Sequence, residues 1–122
     1  MKVFTVVEPA FKVEPLFILD CTHEQLASYL LKRFKARLPQ PHDDQQVFAG
    51  RMYSFDGPPW RLVWSRHGKA SETLHEVFHL VTRICADKGI SIRAHNERGE
   101  NDDEAAAYLF EHFARAVLQR VQ

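Results

Sequence analysis

The chain has 122 residues, 45% hydrophobic and 26% charged, with 16 Lys plus Arg against 16 Asp plus Glu. That balance fits one globular domain over residues 1–122, large enough to bury one real core. A formal net charge of zero argues against affinity by phosphate neutralisation, so no nucleic-acid partner is expected. Cys21 and Cys85 are far apart and form no disulfide framework; Cys85 falls at an apolar helix position and reads as core. No apolar run approaches the ~18 residues that span a bilayer. Glu8 and Pro9 interrupt the N-terminal apolar run too early for a secretory leader, so a cytoplasmic protein with no membrane partner is expected.

Residues 2–7 are β-branched and aromatic and predict a strand; Leu16 to Leu19, framed by Pro9 and Pro15, predicts a second. Thr22 and Gln25 form a capping-box pattern that opens a helix. Leu26, Tyr29, Leu30 and Phe34 continue it, and Pro39 ends it near Leu38. Val47 to Phe55 and Trp60 to Ser65 predict a hairpin around the Asp56-Gly57-Pro58-Pro59 turn. Trp60 and Trp64 alternate on its return strand and are expected to pack on the core. Ser71 is the expected cap of a second helix, with Leu74, Val77, Phe78, Val81 and Cys85 on its apolar stripe and Gly89 at its end. A short strand is expected at Ile90 to Ile92 and a loop to Asn101. A last helix is expected from Asp102 to Arg120, with Ala106, Phe110, Phe113, Val117 and Val121 inward. The fold class is α+β, a small, mostly antiparallel sheet packed on three helices.

His75-Glu76-Val77-Phe78-His79 carries the chemistry. Two histidines four apart on a helix project from the same side and reach one metal ion. In H-E-x-x-H sites the glutamate beside the first histidine acts as general base. A catalytic zinc takes three protein ligands and keeps a fourth position open. Glu104 is the expected third ligand, lying about 120° from the Phe110 centre of its helix's core stripe. Tyr108, one turn on, is expected to donate a hydroxyl to an oxyanion. The other acids of Glu100 to Asp103 equally suit a helix N-terminus, with Asn101 or Asp102 as its cap. His112 reads as a surface histidine. His23, His42, His67 and His95 show no ligand spacing, and His95 alone is kept as a weak substitute. The strand before the metal helix is a candidate for pairing with an extended peptide.

Thr73 to His79, Asp87 to Ile90, Asn101 to Ala105 and Ala107 to Leu109 together resemble a group of small phage and prophage proteins. More distantly, they are similar to minimal gluzincin-type metallopeptidases. The resemblance spans roughly residues 60 to 118. It implies a zincin-like core in which His75, His79 and Glu104 bind zinc, Glu76 is the base, and the substrate is a peptide or protein. The rival expectation is a non-catalytic phage accessory protein that binds a host or virion protein, with zinc structural or absent. A third is a plain α+β domain in which the motif is coincidence.

Overall fold

A computed structural model describes residues 1–39, 49–90 and 103–121. The elements are β1 (Lys2–Thr5), β2 (Leu16–Leu19), α1 (His23–Phe34), β3 (Gly50–Ser54), β4 (Arg61–Ser65), α2 (Ala70–Asp87) and α3 (Glu104–Val121). The strands form one sheet in the order β1-β2-β4-β3. β1–β2 and β3–β4 are antiparallel, but β2 and β4 pair in parallel, so the sheet is mixed. The parallel pair follows from α1. A crossover segment lets two strands of the same direction lie side by side.

The crossover also explains the sequence of β2. Helices cover both faces of the sheet, so Leu16, Phe17, Ile18 and Leu19 are all buried. Phe17, Leu19 and Val63 face a core shared with α2 and α3. Leu16, Ile18, Leu62 and Trp64 face the other way, towards Leu26 and Leu30 of α1. Trp64 seals that layer and donates its indole N–H to the Cys21 carbonyl at 3.0 Å. Cys21 and Cys85 are both buried free thiols, and burial pushes both thiol pKa values up.

Helix ends follow local chemistry. Thr22 accepts from the Gln25 amide at 3.1 Å, and the Gln25 side chain accepts from the Thr22 amide at 2.9 Å. Thr22→Ala is expected to cost about 1 kcal/mol, read as a lower urea midpoint at unchanged slope. α1 stops at Phe34, before the expected Leu38. Lys35 enters the left-handed region at φ 54 and caps the Leu30 and Leu31 carbonyls. Lys69, not Ser71, is the N-cap of α2, and it has no side-chain cap bond. Gly89 ends the same helix at φ 68. The Ile90 amide then reaches the Cys85 carbonyl at 2.8 Å, and the Gly89 amide reaches that of Ala86 at 3.3 Å.

β1 and β3 are shorter than expected. β3 begins at Gly50 rather than Val47, a residue outside the described segments along with its neighbour Phe48. The expected strand beyond Ile90, the start of the last helix at Asp102, His42 and His95 also lie outside them. Trp60 departs from its expected place. The chain turns through φ 65 there before β4 begins, which breaks the alternation and leaves Trp60 56% exposed.

α2 and α3 run antiparallel. The Lys2 ammonium donates to the Arg120 carbonyl at 2.6 Å, which ties the end of α3 to the start of β1. Lys2 pairs with Leu19, and Leu19 with Ser65, the residue that leads into α2. At the other end of the sheet Arg61, which opens β4, donates to Asp87, which closes α2.

Candidate metal centre

The core face of α2 is formed by Thr73, Val77, Leu80, Val81, Ile84 and Cys85. Phe78 is not on it and is 59% exposed, because Leu80 and Ile84 fill the positions nearer the sheet. His75 and His79 therefore emerge from the outer flank, both exposed. Their rings converge, with Nε2 atoms 3.3 Å apart and centroids 4.9 Å apart. A tetrahedral metal with Zn–N bonds of about 2.05 Å has ligand atoms about 3.3 Å apart. The two nitrogens stand at that spacing.

Glu76 completes the cluster. The ligand atoms of His75, Glu76 and His79 all lie within 4.8 Å of one another. Unlike the histidines, Glu76 is buried, because it turns inward against β3. Gly50 makes room for it. A Cβ on Gly50 would lie 3.2 Å from the Glu76 Cγ and 2.7 Å from the Trp64 carbonyl oxygen. Burial raises the Glu76 pKa, against the opposing pull of His79, His75 and Arg51.

One turn earlier, Glu72 anchors the start of the helix. Its carboxylate accepts from the Ser65 hydroxyl at 3.1 Å and from the His67 amide at 3.3 Å, and it meets His67 Nδ1 at 2.8 Å. Burial by itself would raise the Glu72 pKa, but the bonds from His67 and Ser65 and the His67 charge outweigh it and hold the pKa low. The isolated sequence marks neither this network nor the role of Gly50. The one partial signal is the glycine itself, since a glycine in a strand is a general sign of close backbone approach, and Gly50 opens β3.

The structure does not bring Glu104 to this cluster. Glu104 lies exposed in the first turn of α3. Because α3 is antiparallel to α2, that turn lies level with the far end of α2. His79 and His75 precede Asp87 by about 12 and 18 Å of helix, respectively. The flanks differ as well. Glu76 faces β3 at one edge of the sheet, whereas α3 packs towards β1 and β2 through Phe113 on Phe17 and Arg120 over Phe4. Among the described residues no further His, Cys, Asp or Glu joins the cluster.

Tyr108 is engaged elsewhere too. Its hydroxyl donates to Glu8 at 2.7 Å. Glu8 is fully buried and also accepts from the Ala10 and Phe11 amides at 2.8 and 2.7 Å. Burial by itself would raise the Glu8 pKa. The bonds from Tyr108, Phe11 and Ala10, with the His112 charge, reverse that and hold it low. A depressed acid stabilises the fold above its unfolded value of about 4.5, and this contribution is lost as pH falls through the lowered folded value. The stability of Glu8→Gln should therefore fall less than that of the wild type as pH drops from about 4.5 to that lowered value, as circular dichroism would show. His112 is half-buried, its Nε2 2.9 Å from the Val7 carbonyl. His23 packs edge-on against Trp64, and burial, then repulsion from Arg66 and Arg51, lowers its pKa.

The strand before α2 is not available for edge pairing. β4 lies between β2 and β3. Among the described residues the edge beside α2 is β3, whose first residue touches Glu76. No described helix is long and apolar enough to cross a membrane.

The fold and site thus define an α+β protein with an exposed, convergent H-E-x-x-H pair next to a sheet edge. Comparison with protein-family models, curated proteins and solved structures finds no match to this chain.

Proposed function

We propose that the protein is a zinc-dependent hydrolase of peptide bonds, with His75 and His79 as two of the zinc ligands and with Glu76 as general base. The observation that supports this reading is the 3.3 Å approach of the two Nε2 atoms with the Glu76 carboxylate beside them. Zinc held there would act as a Lewis acid and lower the pKa of water towards about 7. Glu76 takes a proton from the attacking water and returns it to the leaving amine as the peptide C–N bond breaks. Its burial against β3 holds the carboxylate in place for that transfer. The edge of β3 offers backbone donors and acceptors on which an extended peptide can lie.

The test is a titration of metal-free protein with Zn²⁺ by calorimetry, repeated with Co²⁺ by visible absorption. One equivalent should bind to the wild type and to Glu104→Ala alike, and binding should be lost in His75→Ala and His79→Ala. A wild type that takes up no metal overturns the reading. The exposure of both imidazoles also suits a second reading, a non-catalytic phage accessory protein whose zinc is shared with a side chain of a host or virion partner.

A further inference from the structure

A cavity of about 430 Å³ opens at the end of the sheet where α2 finishes. Its size is that of a small-molecule site. Val13, Pro15 and Ile84 give it apolar surface, and Trp60, Lys12 and Lys88 stand on its walls.

Two residues of these walls close tight turns in a backbone conformation unusual for their type. Lys12 and Trp60 both hold left-handed backbone, at φ 57 and φ 65. That region is costly for any residue with a Cβ, and for a bulky aromatic it is rare. Glycine or asparagine would make the Trp60 turn with less strain. An indole that is 56% exposed gains little from the core in return. Strain of this kind gathers where a side chain must be held for a ligand.

The charges on the walls select the ligand. Asp87 is taken up by Arg61 and Arg83, at 3.0 and 3.1 Å. Lys12 and Lys88 make no ion pair among the described residues. Glu14 is the other acid lining the cavity, and two ammonium groups outweigh it.

We infer that this cavity binds a small, flat aromatic anion, stacked on Trp60 with its carboxylate or phosphate held by Lys12 and Lys88. The site is independent of the histidine pair. Stacking and cation contacts both suit an indole flanked by lysines.

The chain has two tryptophans, so two indole N–H signals in a nitrogen-15 correlation spectrum suffice as the readout. Trp64 is buried and bonded to Cys21, and serves as an internal control. The probes are 2-naphthoate and AMP, with 2-naphthamide and adenosine as their neutral counterparts. The Trp60 signal should move saturably with at least one anion while the Trp64 signal stays fixed. The neutral counterpart should bind at least tenfold more weakly. Preference for AMP or for naphthoate assigns the anionic group. Trp60→Gly should weaken binding at least tenfold with no loss in Tm, and the double variant Lys12→Gln, Lys88→Gln should weaken it to a similar degree. A Trp60 signal that neither anion moves, equal binding of the neutral probes, or a lower Tm in Trp60→Gly would each overturn the inference.

Discussion

Glu76→Gln should retain zinc and lose about 10²- to 10⁴-fold in peptide hydrolysis, the usual contribution of a positioned general base. The isostere keeps the packing against Gly50, where a Cβ would already approach the Glu76 Cγ to 3.2 Å. It keeps both imidazoles as well, so metal content should not change. The same variant should be more stable than the wild type at neutral pH. Burial raises the folded pKa of Glu76, so its contribution to stability is complete below the unfolded value of about 4.5 and is lost as pH rises through the folded value. Near neutrality the buried carboxylate costs stability, so removing its charge should raise the melting temperature at pH 7 more than at pH 4. Cleavage of a peptide library followed by mass spectrometry, together with thermal melts at pH 4 and 7, measures both effects. Equal hydrolysis by wild type and variant would remove Glu76 from the chemistry. Biological effect retained by a variant that still binds zinc would favour the accessory-protein reading.

The parts of this fold and site that were legible in the sequence are those decided locally. The Thr22–Gln25 pair marks the start of α1 because a capping box needs only four residues. His75 and His79 converge because an i, i+4 spacing fixes their side on any helix. The end of α1 was not legible, since Lys35 adopts a left-handed cap without the glycine that usually announces one. The place of Glu104 was not legible for a different reason. Helical angles give the face that a residue occupies, but neither the direction in which a second helix runs nor the flank on which it docks. Those are set by the antiparallel course of α3 and by its seat over β1 and β2. The parallel pairing of β2 with β4 is likewise a property of the whole chain. The apolar run of Leu16 to Leu19 was its one trace, and it fits a strand covered on both faces as well as a short edge strand.

Phe17→Ala should lower the stability of the fold by about 3–5 kcal/mol, the cost of emptying a fully packed aromatic site. Phe17 is entirely buried in β2, between β1 and β4. Its ring stacks on Phe4 at 5.1 Å with planes 4° apart, and it meets Phe113 of α3 at 6.4 Å. One side chain thus joins an edge strand, the sheet and the last helix. Alanine would leave a void with walls on three elements, none of which can close it without moving the others. Against a total stability of about 5–15 kcal/mol for a domain, that loss brings the protein near its unfolding threshold. Phe78→Ser is the matched control. Phe78 stands exposed beside His79, and replacing it should change stability by no more than about 0.5 kcal/mol. Urea unfolding of both variants at matched pH decides the point. A small loss in Phe17→Ala would mean that α3 does not rest on the sheet through Phe113. The antiparallel placement that keeps Glu104 away from the histidines would then lose one of its supports.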